Sequence, residues 1–128
     1  MNKFIKIFCL ASLLVVVVAG CHKVADLPYY DKGTAVTLTA NKSTVAATPA
    51  DSLAKVIDFS WTNPHCSQDS SLYKFVLETD TTGRNFSKES TKIVVGSLTT
   101  SLTGKELNGI LLNFGFAVGS PVDLDFRI

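Results

Sequence analysis

From residue 34 onward the chain alternates apolar and polar positions in short runs, the two-residue period of strands that bury one face. Val36, Leu38 and Ala40 alternate with Thr37 and Thr39. Between Lys55 and Trp61, one face takes Ile57, Phe59 and Trp61 and the other takes Val56, Asp58 and Ser60. Tyr73, Phe75, Leu77 and Thr79 lie opposite Lys74, Val76 and Glu78. Ile93 to Val95 and Leu98 to Leu102 add two short strands, and Val122, Leu124, Phe126 and Ile128 alternate with Asp123, Asp125 and Arg127. Turn residues at Asn41, Pro49, Asn63 to Ser71, Gly83 and Gly96 separate these runs, which predicts six or seven strands at sandwich spacing. One helix interrupts them: Thr103 followed by Glu106 is a capping-box pattern, and Leu107, Ile110 and Leu111 form an apolar stripe. Gly109 lowers helix propensity there, so one or two turns crossing between the sheets are expected. The expected core is Trp61, Tyr73, Phe75, Leu77, Leu124 and Phe126. The alternation is still running at Ile128, so the strand that closes a seven-stranded sandwich is expected to be missing.

The first 21 residues follow a different pattern. Lys3 and Lys6 precede an apolar run from Ile7 to Val18 broken only by Cys9 and Ser12, and Val18, Ala19 and Gly20 lead into Cys21. A spanning helix needs roughly 20 apolar residues, so the run reads as a cleaved signal-peptide helix, residues 1–20. V-A-G-C resembles the bacterial lipobox, in which the cysteine is alkylated with diacylglycerol, the chain is cut before it and the new amine is acylated. Cys21 is then the lipidated first residue of the mature protein. A plain secretory signal that leaves Cys21 free is the weaker reading, because four ordered features coincide. Two or three acyl chains hold a protein on a membrane, whereas one holds it marginally. Residues 21–33, with Pro28, Tyr29, Tyr30 and Gly33 and no period, read as a tether, and residues 34–128 as the domain.

Charge and composition narrow the chemistry. Twelve Lys and Arg are scattered against 11 Asp and Glu, without the basic stripe that neutralises phosphates, so nucleic acid is excluded as a partner. The mean hydropathy of +0.27 is raised by the leader. Removing the leader also removes Cys9, and with Cys21 alkylated only Cys66 keeps a thiol, so no intramolecular disulfide is expected.

No cluster of residues supplies the parts of a catalytic, cofactor or metal site. His65 stands beside Cys66, but a Cys-His pair needs facing side chains and a third orienting group, and zinc needs three or four ligands. Asp80 to Asn85, D-T-T-G-R-N, offers one carboxylate where a calcium loop supplies several oxygen ligands. The plainer expectation is that Asp80 caps a turn, Gly83 supplies a positive φ and Phe86 folds back onto the core. Trp61 could stack on a sugar ring, but its place beside Ile57 and Phe59 favours the core. Tyr29 and Tyr30 are expected to pack on the domain or at lipid headgroups. Asn41-Lys42-Ser43 and Asn85-Phe86-Ser87 match a eukaryotic glycosylation acceptor by accident.

F-S-W-T-N-P (Phe59 to Pro64) and Y-K-F-V-L-E (Tyr73 to Glu78) resemble the second and third strands of fibronectin type III domains. The fold expected is thus all-β, an immunoglobulin or fibronectin type III-like sandwich with one short helix. Taken with the lipobox and tether, the segments L-T-A-N-K-S-T-V (Leu38 to Val45), D-F-S-W-T (Asp58 to Thr62), Y-K-F-V-L-E-T-D-T-T-G-R-N-F (Tyr73 to Phe86), T-G-K-E-L-N (Thr103 to Asn108) and D-L-D-F-R-I (Asp123 to Ile128) come in an order that resembles the N-terminal immunoglobulin-like domain of the SusE/SusF family. These are outer-membrane lipoproteins of glycan-utilisation systems in Bacteroidetes. The resemblance implies a non-enzymatic, lipid-anchored accessory protein displayed at the cell surface near other glycan-uptake proteins. The family's sugar sites lie in C-terminal modules outside this chain, so glycan binding by this domain is not expected, and of the family's functional residues only the lipidated cysteine maps here, onto Cys21. A structural or adhesive immunoglobulin-like module of the cell envelope that binds another protein is the alternative.

Overall fold

The computed structural model describes residues 32–128. The expected signal-peptide helix, Cys21 and most of the expected tether lie outside these residues. Six strands form two three-stranded antiparallel sheets. In the first, β2 (Lys55–Trp61) is flanked by β1 (Leu38–Ala40) and β5 (Thr99–Thr103); in the second, β3 (Lys74–Thr81) is flanked by β4 (Ser90–Val95) and β6 (Leu124–Arg127). Phe59 meets Phe126 with ring centroids 4.7 Å apart, and Trp61 meets Phe75 at 5.3 Å. Aromatic pairs therefore join the inner faces of the sheets, and the fold is an all-β sandwich with one short helix.

The period-two pattern built most of this core. Trp61, Phe75 and Leu77 are buried as expected, while Tyr73, Leu124 and Phe126 are half-buried and packed against them. Phe59, Leu102 and Leu107 complete the centre. Val36 and Leu38 pack inward, but Ala40 is exposed. Val56 departs from the alternation. Lys55 is in register with Thr103 and Ile57 with Leu102, so Val56 is an extra residue at a bulge, and both Val56 and Ile57 are buried.

The helix α1 spans Gly104–Asn113, longer than the one or two turns expected. Its start follows the capping-box pattern: the Glu106 amide donates to Thr103 Oγ1 at 3.2 Å, and the Thr103 amide donates to Glu106 Oε2 at 2.8 Å. The amides of Gly104 and Lys105 find the carbonyls of Ala54 and Ser52, just after a 3-10 turn at Pro49–Asp51. Leu107 is buried, and Ile110 packs on the core, on one stripe of the helix. Burial of that stripe outweighs the local cost of Gly109, and the helix ends at Gly115, whose φ of +90° suits a glycine stop.

Among the described residues the outer strands of both sheets are unpaired on their far sides. Lys92 on β4 bonds to Ser101 on β5, which puts these two edges on one side of the sandwich and β1 and β6 on the other. Among the described residues β6 pairs only with β3.

Candidate functional site

The chain enters the domain at a tight junction. The Thr34 amide donates to the Pro64 carbonyl at 2.7 Å, and Thr37 and Thr62 exchange bonds of 3.0 and 3.2 Å. Gly33 has φ +65°, and a Cβ there would overlap Cys66 Sγ and the Pro64 carbonyl oxygen. The predicted end of the tether is thus pinned to the loop after β2 by backbone that only glycine can bring so close.

His65 and Cys66 occupy this junction as loop residues. His65 is exposed, at φ +52°, and its amide donates to Asn63 Oδ1 at 2.9 Å in an Asx turn. The Cys66 thiol donates to the Pro64 carbonyl at 3.7 Å, so it is aimed at the backbone rather than at the imidazole. Cys66 is a free cysteine.

Asp80 organises the other notable loop. Its side chain is 1% exposed, although it ends a run that alternation would place on the outer face of β3. The segment after β3 folds back over it. Asp80 Oδ1 accepts from the Thr81 amide at 2.8 Å and faces Arg84 Nε at 3.5 Å, and Oδ2 accepts from the Lys88 amide at 3.3 Å. Burial acts to raise the Asp80 pKa, but the Thr81 and Lys88 amides, the Arg84 charge and the Ser87 amide together outweigh it and hold the carboxyl below its usual range. The charge opposite this carboxylate is therefore a guanidinium. Among the described residues no group of three His, Cys, Asp or Glu side chains could hold a metal ion.

Gly83 does take the positive φ expected of it, +86°, and Asn85 and Phe86 follow at +52° and +53°. Phe86 does not fold onto the core. Its ring lies 4.1 Å beneath the Arg127 guanidinium, which also pairs with Glu78, so the side chain covers the outer face of the second sheet. Arg84 sits 5.7 Å over Phe114 and links the same loop to the end of α1.

Trp61 is 5% exposed and lies against Phe75. Its indole N–H has no hydrogen-bond partner among the described residues. The tryptophan that could have stacked on a sugar therefore belongs to the core.

A cleft of about 550 Å³ lies where α1 meets β3, β4 and β5, with Leu77, Leu102 and Ile110 as its apolar lining. Lys92 closes its side. From β4 it donates to the Ser101 carbonyl on β5 and pairs with Glu106 on α1, both at 2.8 Å. Sequence reasoning passed over Lys92, although a lysine between the strand residues Thr91 and Ile93 is the signal of an inward charge guarding an edge.

A protein-family model, SusE outer membrane protein, matches residues 24–128. This chain belongs to the SusE outer-membrane protein family. The match takes in all the described residues and begins just past Cys21, in line with the resemblance carried by the strand segments. SusE membership places the protein at the outer membrane, in a Sus-type glycan-utilisation system. No curated protein and no solved structure matches the chain. Among the described residues no helix is long and apolar enough to cross a membrane.

Proposed function

We propose that this SusE-family chain is a lipid-anchored accessory protein whose domain acts as a membrane-proximal spacer. Cys21 is the acylated residue, residues 21–33 the tether and residues 34–128 the spacer. The observation that carries the reading is where the aromatic side chains sit. Phe59, Trp61 and Phe75 are 1%, 5% and 8% exposed, and Phe86 and Phe114 lie beneath arginines. Sugar rings are gripped by open aromatic faces, and these rings are already covered. A non-enzymatic role is supported by His65 and Cys66, whose loop puts the Cys66 thiol on the Pro64 carbonyl rather than on the imidazole, and by the buried carboxylate Asp80, which is held by amides and Arg84.

Two measurements test this. Expressed in a bacterial host, the chain should take up labelled palmitate and enter the detergent phase, and Cys21→Ser should lose both. Equal labelling of that variant overturns the anchor. Isothermal titration of residues 22–128 with maltooligosaccharides should give no binding heat. Saturable binding would make the domain a glycan receptor instead.

A further inference from the structure

The end of the sandwich where the chain enters also carries exposed apolar surface. Gly33 lies against Pro64 and Cys66, and Ser71 against Gly96. Between them, Tyr73 reaches back to Ser67, accepting from its amide and donating to its carbonyl. Lys74 is in register with Val95. A continuous run of contacts thus leads from the attachment point to Leu72 and the outer face of β4. Leu72 is 79% exposed, Val95 60% and Ile93 57%, while Val94 between them turns inward onto the core. Ile93 is in register with half-buried Val76 on the same outer face. Aliphatic side chains clustered on the open face of an edge strand mark a surface that something covers.

We propose that this end of the domain, Leu72 with Ile93 and Val95, rests on the lipid surface in which the chain is anchored. The proposal depends on the reading of Cys21 as the lipidated residue and adds to it a second, non-covalent contact. Its occupant follows from the length of the connection. The steps from Cys21 to Gly33 span at most about 40 Å when fully extended, so the domain stays close to the bilayer and the patch is held at a high effective concentration against it. A few aliphatic side chains give weak interfacial binding when free, and a tether turns weak binding into an occupied state. Lys74, exposed beside Val95, can keep its ammonium at the phosphate level while its stem lies on the apolar surface. Asp69 is the acidic group of the same loop; its carboxylate is turned back onto Ser71, whose amide donates to Oδ1 at 2.9 Å.

The test uses the full, acylated chain in vesicles of phosphatidylethanolamine and phosphatidylglycerol with brominated acyl chains, which quench indole emission at short range. Ile93→Trp places a reporter in the patch. Leu53→Trp places the same reporter at the opposite end, on a residue that is 85% exposed, so the indole's own liking for interfaces cancels. Trp61 gives the same core background in both. The expected result is a blue-shifted, quenched signal for Ile93→Trp and an unquenched one for Leu53→Trp. That quenching should be lost when Leu72→Asp and Val95→Asp are added with circular dichroism unchanged. Flotation with the vesicles and equal signals from the two reporters overturns the docking and leaves the anchor standing. Absence of flotation overturns both.

Discussion

Lys92 reaches from β4 in one sheet to the carbonyl of Ser101 on β5 in the other, at 2.8 Å, and so ties together two edge strands that share no backbone ladder. The same ammonium pairs with Glu106, whose other oxygen caps the start of α1. The Lys92 hydrogen bond, the Thr103 amide and hydroxyl and the Lys92 charge hold the Glu106 carboxyl below its usual range against a smaller effect of burial. One lysine thus connects a sheet edge, the opposite sheet and the helix cap.

Replacing Lys92 by Met keeps the stem and removes the head. Hydrogen bonds to charged groups contribute about 1.5–3 kcal/mol, and exposed pairs less than about 1 kcal/mol. The Lys92 side chain is 34% exposed, so a loss of about 1 kcal/mol is expected, which lowers the melting temperature by roughly 4–8 °C in a domain of this size. Size-exclusion chromatography at equal concentration should also show more association than the parent, through the unguarded β4 edge. A melt and an elution profile equal to those of the parent would show that Lys92 neither holds the two sheets together nor guards the edge.

Asp80 contributes to the acid limb of stability. Its folded pKa is lowered, so the unfolded chain binds a proton first as pH falls. The stabilisation is complete above the ordinary carboxylate value of 3.8 and is lost as pH drops from there through the folded value. Asp51, Asp69 and Glu106 are lowered as well and act in the same sense. Denaturant melts at stepped pH should show this fall, and Asp80→Asn should be less stable at neutral pH with a shallower acid slope. A slope equal to that of the parent would mean that the Asp80 carboxylate does not set it.

Two glycines in α1 should respond oppositely to alanine. At Gly104 a Cβ would come within 2.6 Å of the Asp51 carbonyl oxygen, whereas at Gly109 it would meet nothing within 4 Å. Gly104→Ala should therefore lower stability by about 1–3 kcal/mol through overpacking, and Gly109→Ala should raise it by about 1 kcal/mol through helix propensity. Thermal melts of the two variants check the pair: a Gly104→Ala melt no lower than the parent's would refute the contact at Asp51, and a lowered Gly109→Ala melt would refute the propensity argument.

The same helix shows where the sequence was legible and where it was not. Its start was readable from Thr103 and Glu106 because a capping box is a local device, whereas its length was misjudged at Gly109 because the burial of Leu107 and Ile110 is decided by distant strands. Alternation located β2 and β3 for the same local reason. It failed at Val56, where a bulge depends on the partner strand β5, and it carried no sign that the turn Asp80 was expected to cap would fold back and bury its carboxylate. Phe59 read as inward-facing, but its place at the centre became visible only once Phe126, far along the chain, lay against it. The loop position of His65 and Cys66 was readable from the turn residues around them, while the pinning of Gly33 beneath Cys66 joins segments about thirty residues apart and leaves no local pattern.

The last prediction concerns β6, which pairs with β3 from Glu78 to Thr81 and has no neighbour on its other side among the described residues. Its inward residues Leu124 and Phe126 are only half-buried, and Phe126 is the ring against which Phe59 packs. An edge strand that contributes directly to the aromatic core is both a site of association and a weak point of the fold. A strand added along it would supply a second ladder and about three inward apolar side chains, each worth about 1.5–3 kcal/mol when fully buried, against a total domain stability of about 5–15 kcal/mol. Residues 22–128 produced without the leader should therefore melt at low temperature and associate with increasing concentration. The same chain extended by a short turn and six residues alternating valine with threonine should become monomeric and melt higher. A cooperative, monomeric melt of the unextended chain above about 60 °C, within the range of whole mesophile domains, with no gain from the extension, would show that two three-stranded sheets suffice and that the β6 edge is stable as it stands.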